Sequence, residues 1–294
     1  DRCNICDYIL CFVYSKRKEC LYMGFLNNLI NGISLGSIYA VIALGYTLVY
    51  GIAKMLNFAH GDVIMVGGYV IFTCMTTWGL NSWLSIVLAV IACTLLGIVI
   101  EKVAYKPLRQ ATSLAVLITA IGVSYFLQNT ALLIFGEKPV NFTSVAIIVS
   151  ILIVVGLSLF INKTKSGRAM LAVSEDRGAA QLMGVNINRT ISLTFAIGSG
   201  LAAIAGALLC SAYPTLQNTT GAMPGIKAFV AAVFGGIGSI PGAMIGGILI
   251  GVIEILGRAY ISPQLADAIV FAVLILVLII KPTGILGKKI SEKV

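Results

Sequence analysis

The sequence predicts an all-α polytopic membrane protein of about eight to ten transmembrane helices, some of them broken or re-entrant. Three observations predict it. Hydrophobic residues make up 59% of the 294 residues and charged residues only 11%, whereas a soluble globular chain carries about 25% charged residues. Mean hydropathy is +1.02. The apolar residues gather into blocks of bilayer-crossing length, at 26–50, 55–78, 83–103, 112–135, 143–161, 190–213, 222–257 and 264–280. At roughly 20 residues per span, little chain is left for a soluble domain. A soluble enzyme, a nucleic-acid-binding domain and a disordered protein are excluded together. The net charge of +9 then reads as Lys and Arg collected in cytoplasmic loops.

Residues 1–22 precede Met23 and hold Cys3, Cys6, Cys11, Cys20 and the run Lys16-Arg17-Lys18. No His or second Cys-x-x-Cys completes a zinc set around Cys3 and Cys6. The basic run follows the apolar stretch, the wrong order for a signal peptide. Codons for Lys18-Glu19 can read as a ribosome-binding site just upstream of Met23. The expectation is a non-native leader or disordered tail over 1–22 and one transmembrane domain over 23–294. Cys74, Cys93 and Cys210 sit in apolar runs and read as packing residues.

Basic residues give the orientation. The 101–112 connection carries Lys102, Lys106 and Arg109, and the 162–190 connection carries Lys163, Lys165, Arg168, Arg177 and Arg189. The C-terminus carries Lys281, Lys288, Lys289 and Lys293. These three regions are assigned to the cytoplasm. Blocks 112–135 and 143–161 then form one hairpin. Three crossings before residue 101 place the N-terminus outside, unless block 55–78 is broken near Ala59-His60-Gly61-Asp62. Block 222–257 is too long for one span, and Gly235, Gly236, Gly238, Pro241 and Gly242 are dense enough to break it. Two shorter helices, either both spanning or one re-entrant, restore the parity. Small residues at four-residue spacing (Gly32 and Gly36, Gly242 and Gly246, Gly247 and Gly251, and Gly198, Ala202 and Gly206) provide close helix contacts, within the chain or with a second subunit.

Ionisable residues inside the apolar blocks are few: His60, Asp62, Lys227, Glu254 and Asp267. Glu254 and Arg258 are four apart and read as a pair near a helix end. Asp267 suits a helix N-terminus, and Lys227 can snorkel. His60 and Asp62 stand beside Asn57 and Gly61 in a stretch of interrupted helix. Asn57, His60 and Asp62 are therefore either translocation-pathway residues or a cap at a helix break. In the 162–190 connection, Ser174 reads as an N-cap, Glu175 and Asp176 as the first turn and Gly184 as the C′ stop. Ala179, Leu182 and Met183 share a face of this short amphipathic helix, which either rests on the membrane or docks on a soluble partner.

The sequence has a single histidine and no P-loop, HExxH or GxSxG motif, so neither phosphate cradling, a two-His metal site nor a serine hydrolase is expected. No catalytic residue, cofactor or metal is assigned. Two long runs, Asn31 to Gly51 and Asn57-Phe-Ala-His-Gly-Asp62, closely resemble the branched-chain amino-acid ABC transporter permeases, in particular the LivH-type subunit. So do Lys227 to Gly247 and the ending Lys281-Pro-Thr-Gly-Ile-Leu-Gly287. The resemblance implies a type II-like importer permease in the bacterial inner membrane, with no ATP-binding motif of its own. It also implies a second related permease, two cytoplasmic ATPases and an extracytoplasmic solute-binding protein as partners, with lipid around it and no nucleic acid. The stretch Glu175 to Gly184 is similar to the family's EAA-like coupling segment, with Glu-Asp-Arg where the older consensus has Glu-Ala-Ala. Ser174, Glu175, Asp176, Arg177, Leu182, Met183 and Gly184 are its candidate ATPase-coupling residues. The alternatives are a permease for urea or short amides, or an ion-coupled secondary transporter.

Overall fold

Helices are the only structure that satisfies backbone hydrogen bonds segment by segment in hydrocarbon, and they dominate here. The computed structural model describes residues 4–136, 140–141, 163–236, 238–281 and 283–287, with side chains from Gly24 onward apart from 140–141. The predicted block 143–161, the side chains of 1–22 and Lys288, Lys289 and Lys293 lie outside the described residues. In order come α1 (Asn4–Ala53), α2 (His60–Thr76), α3 (Ser82–Ile100) with a π turn at Glu101–Tyr105 and a 3₁₀ turn at Lys106–Leu108, and α4 (Ser113–Phe135). Next are β1 (Val140–Asn141), α5 (Lys165–Glu175), α6 (Arg177–Leu182), α7 (Ile187–Ala212) and β2 (Thr215–Leu216). The chain ends with α8 (Ala222–Gly235), α9 (Ile240–Tyr260) and α10 (Ala266–Ile280). Among the described residues, five helical stretches are long and apolar enough to cross a membrane: Gly24–Ala53, Ser82–Leu108, Ser113–Phe135, Ile187–Ala212 and Ile240–Tyr260.

The helices start where capping residues stand. Thr112, Thr164, Asp176, Asn186 and Ser239 each accept a hydrogen bond from a backbone N–H in the following first turn, satisfying donors that a helix start leaves orphaned. Block 222–257 is two helices, as its Gly and Pro content predicts. Helix α8 stops at Gly235 and α9 starts at Ile240, with Gly236 and Gly238 at positive φ between them.

Helix α1 is the axis of the bundle and is buried almost continuously from Leu35 to Ala53. Its closest neighbour is α9, antiparallel to it. A Cβ added to Gly36 would stand 2.7 Å from the Cα of Ile248, and one on Gly32 2.8 Å from that of Val252. On the opposing face, Gly247 and Gly251 lie directly against the backbones of Ala40 and Gly36. These four glycines let two backbones touch, the route by which helices gain contact in lipid. The small-residue stripes on α1, α7 and α9 are thus used inside the chain. By contrast, α3 and α4 turn Val87, Ile91, Leu95, Ile118, Ile121 and Leu133 outward, as lipid-facing helices do.

Basic regions meet at one end. Arg109 bonds both Glu101 and Asn188, Arg177 reaches the end of α1, and Gly51 approaches Gly238. That end is cytoplasmic by its Lys and Arg. The Phe25 and Tyr260 rings, 6.5 Å apart, mark the opposite end, at the level where aromatic residues favour an interface. Helices α1, α2 and α3 all precede residue 101, so the Gly24 end of α1 is extracytoplasmic. On that same side β1 and β2 pair antiparallel, Val140 with Leu216 and Asn141 with Thr215.

Two helices begin inside the membrane. After Ala53 the chain turns back through Lys54 at φ 54°, climbs beside α1 without helix, and starts α2 at His60, against Gly45. After α7 it descends without helix beside α2, Leu216 lying 3.0 Å from where a Cβ on Gly68 would be, and starts α8 at Ala222 beside Gly61. Irregular backbone at this depth requires a protein surround, and Met55, Asn57, Ala59 and Leu216 are all buried. The starts of α2 and α8 meet at Gly61, Gly221 and Gly225. A Cβ on Gly225 would stand 2.8 Å from the Cα of Gly61, so this crossing too depends on having no side chain.

Candidate functional site

The three candidate pathway residues lie within six positions of one another in sequence, yet face three directions. Asn57 is buried, and its Oδ1 accepts from the Tyr105 hydroxyl at 2.8 Å, which ties the α1–α2 connection to the π turn after α3. His60, only 1% exposed, turns to α1: its ring stands edge-on to Tyr46 with centroids 4.7 Å apart, and its Nε2 has no hydrogen-bond partner. Asp62 faces α4, where Gln128 Nε2 donates to its Oδ1 at 2.8 Å. The structure does not bring the three together around one ligand. Each fastens the non-helical start of α2 to a different helix.

Asn57 lines a narrow space, about large enough for one water, between α1, the α1–α2 connection and α8. Tyr46, Thr47 and Tyr50 supply the α1 wall, Leu56 the floor, and Phe229 and Ala232 the α8 wall. Tyr46 and Phe229, 5.9 Å apart between ring centroids, roof it beneath the junction of α2 and α8. Apart from Asn57, sequence reasoning missed these residues. Thr47 and the two tyrosines are embedded in a run whose other members are core, and nothing in periodicity separates them.

The 174–184 segment differs in its boundaries from the sequence expectation. Ser174 is not an N-cap. Thr164 starts α5 ten residues earlier, so Ser174 falls in its last turn and its Oγ donates to Leu171 O at 2.6 Å. The chain bends at Asp176, which caps α6 by accepting from Ala179 N at 3.0 Å. Glu175 ends α5 instead of opening the second helix. Gly184 takes φ +83° just after α6, the left-handed turn expected of a C′ glycine. Ala180 turns inward, while Leu182 and Met183 are 90% and 85% exposed. Arg177 donates to Ile52 O at 3.3 Å and also to Ala53 O. It thereby caps the C-terminal carbonyls of α1 and links this segment to the bundle axis. Lys54, next to it, has its ammonium pushed below the ordinary value by burial and by the Arg177 charge.

Residues 28–278 match the family described as "Branched-chain amino acid transport system / permease component". The chain belongs to this family. It is 45% identical over 304 aligned residues to the high-affinity branched-chain amino acid transport system permease protein LivH of Salmonella typhimurium, covering 93% of this chain and 99% of that one. It is 44% identical to BraD of Pseudomonas aeruginosa, with 92% and 98% covered. A probable LivH permease of Methanocaldococcus jannaschii is 30% identical, with 85% and 89% covered. The chain is accordingly a multi-pass permease subunit of an ABC importer in the plasma (inner) membrane, a transport component that works with an ATPase and a binding protein.

Two further features of the permease follow from its geometry. The Gly235 to Gly242 break is closed by the chain's own end: Ile285 N donates to Phe234 O and Leu286 N to Gly235 O, both at 2.9 Å. The Lys281 to Gly287 run therefore satisfies carbonyls that the end of α8 would leave orphaned. At α9, Ser239 Oγ accepts from Gly242 N at 3.2 Å, and Pro241 stands in the first turn, where a missing N–H costs nothing.

In the outer half, Glu254 and Arg258 pair as their spacing predicts, and Lys227 and Asp267, read separately in the sequence, join them in one cluster. Lys227 of α8 does not snorkel. It is 4% exposed and pairs with Glu254 of α9 at 2.8 Å and Asp267 of α10 at 2.6 Å. Glu254, fully buried, also accepts from the Tyr39 hydroxyl of α1 at 2.8 Å and from Arg258.

Proposed function

We propose that the permease passes branched-chain amino acids inward by alternating access, as one of a pair of related permease subunits, with two cytoplasmic ATPases and an extracytoplasmic binding protein. What supports the substrate class is the full-length similarity to the LivH and BraD proteins, at 44–45% identity. The exposed tip of α6 supports the coupling role. Leu182 and Met183 stand almost fully in solvent at the cytoplasmic end, beside the Arg177 guanidinium that holds the end of α1. Apolar side chains left in water together mark a surface that another protein covers. A partner gripping them pulls on α1, and α1 carries the contact with α9. Ser174, Glu175, Asp176 and Gly184 shape this segment, and Asn57, His60 and Asp62 hold the pathway side of α2 in place.

The test uses the complete importer in proteoliposomes with its binding protein and L-leucine. Leu182→Asp with Met183→Asp is expected to abolish co-purification of the ATPases while leaving membrane insertion intact. Glu175→Lys and Gly184→Pro are expected to uncouple ATP hydrolysis from uptake, since proline cannot take the positive φ of Gly184. Normal uptake in all of them would sink the coupling role. Absence of leucine uptake by the wild-type importer would sink the substrate class.

A further inference from the structure

We infer that motion of the cytoplasmic α6 segment reaches the start of α2 by a second arm, through the π turn Glu101–Tyr105, and that Tyr105 is the positioning residue that delivers it. This rests on the coupling role proposed for α6 and adds a route and a residue. The first arm is the Arg177 guanidinium, which holds the last carbonyls of α1 at Ile52 and Ala53. The second leaves the other end of α6. Gly184 N donates to Gln181 O and Val185 N to Ala180 O, both at 3.0 Å. Asn186 then caps α7 by accepting from Arg189 N at 3.1 Å. No slack loop separates α6 from the first turns of α7.

Those turns are locked to the end of α3. Arg109 donates to Asn188 of α7 and to Glu101, and Ser192 of α7 donates to the other Glu101 oxygen at 2.6 Å. Glu101 is fully buried. A buried carboxylate is strongly destabilising unless it stays paired and hydrogen-bonded, so the end of α3 and the start of α7 move as one body. Glu101 also opens the π turn, in which Lys106 N donates five residues back to Glu101 O. Pro107 accounts for that turn. It has no N–H to give to Val103 O, and its ring would strike that carbonyl, so an α turn cannot continue. At the far end of the π turn, Tyr105 is 1% exposed and packs its ring against Phe195 of α7, 5.1 Å between centroids. Its hydroxyl donates to Asn57 Oδ1 at 2.8 Å. Asn57 O in turn accepts from the His60 N–H at 3.2 Å, so the chain of bonds ends on the first residue of α2. The two arms grip the same short connection between α1 and α2, one at its beginning and one in its middle. The ring alone would fill the space beside Phe195; what the hydroxyl adds is the hold on Asn57.

The test uses the complete importer in proteoliposomes, with its ATPases, its binding protein and L-leucine. Tyr105→Phe keeps the ring and removes the hydroxyl. It is expected to lower leucine uptake per ATP hydrolysed about fivefold, the worth of one hydrogen bond, with ATP hydrolysis and co-purification of the ATPases kept. Ser192→Ala leaves Arg109 on Glu101 and is expected to lower the ratio about twofold, the low end of the same range, while Ser192→Thr retains it. Changes within one connected network do not add. Tyr105→Phe with Ser192→Ala is therefore expected to match Tyr105→Phe alone, whereas Tyr105→Phe with Arg177→Ala, one from each arm, is expected to be worse than either. An unchanged ratio in Tyr105→Phe, uptake and hydrolysis falling in proportion, or full additivity of Tyr105→Phe and Ser192→Ala would overturn the second arm while leaving the coupling role of α6 standing. Normal leucine uptake by the variant carrying both Leu182→Asp and Met183→Asp would overturn that role and the second arm with it.

Discussion

Two clusters of polar side chains, each with a buried centre, occupy the same bundle, and they are built on opposite terms. In the outer half, Tyr39, Lys227, Glu254, Arg258 and Asp267 join α1, α8, α9 and α10, and the Glu254 carboxylate accepts from three donors. In the inner half, Tyr46, Thr47, Asn57 and His60 surround the start of α2, and both Thr47 Oγ1 and His60 Nε2 are without partners. Buried charge persists only when paired and hydrogen-bonded, so the outer cluster works as a clasp that fixes α8 against its neighbours. The inner cluster keeps polar capacity open, at the place where two helices begin on abutting glycines. The difference separates a place where helices are clasped by charge from a place where they are held by packing, with hydrogen-bonding capacity left unused.

The sharpest way to break that contrast is to open the clasp. Glu254→Ala removes the carboxylate that Lys227 and Arg258 share and leaves the buried Lys227 with Asp267 alone; breaking a buried pair costs up to about 3–5 kcal/mol. We expect no monodisperse protein in detergent by size-exclusion chromatography; a normal profile and melting temperature would show the clasp to be dispensable. A smaller effect is expected from Gly36→Leu. Its Cβ meets the Ile248 backbone at 2.7 Å, and overpacking of this kind costs about 1–3 kcal/mol when neighbours cannot yield. Thermal unfolding of the purified importer should fall accordingly, and an unshifted midpoint would mean that α1 and α9 separate at little cost.

Which of these features were legible in sequence follows from how each interaction is encoded. Spans are legible because the bilayer demands apolar length, and the α8–α9 break is legible because Gly and Pro act locally. The clasp is not. Lys227 and Glu254 are 27 residues apart and Tyr39 and Glu254 are 215 apart, on helices whose contact no periodicity reveals. Each member alone admits a bland account: a snorkelling lysine, an i, i+4 pair, a capping aspartate. The α5–α6 boundary was missed for a subtler reason. Ser174 and Asp176 are both good caps, and the choice between them is made by Thr164, which starts an earlier helix that runs through Ser174. The lining of the narrow space was missed except for Asn57, because a threonine between a tyrosine and a leucine looks like core until the missing hydrogen bond is seen.

Within the clasp, Tyr39→Phe keeps the ring and removes only the O–H that donates to Glu254. A hydrogen bond to a charged group is worth about 1.5–3 kcal/mol. The two remaining donors, Lys227 and Arg258, still hold the carboxylate, so the low end of that range is expected. Differential scanning of the importer with and without the substitution reads it directly, and no shift at all would mean that the hydroxyl is redundant.

The smallest effect on stability is expected where the contrast is most pointed. Thr47→Val exchanges a buried hydroxyl for a methyl of similar size. Were Thr47 part of a satisfied network, its partner would be left stranded and the cost would resemble that of Tyr39→Phe. Because its Oγ1 has no partner, no group is stranded, and the exchange removes a desolvation penalty. The melting temperature should therefore hold or rise slightly, which thermal unfolding of the purified importer reads. A clear drop would place Thr47 among the groups that hold the bundle, and would erase the distinction between the two clusters.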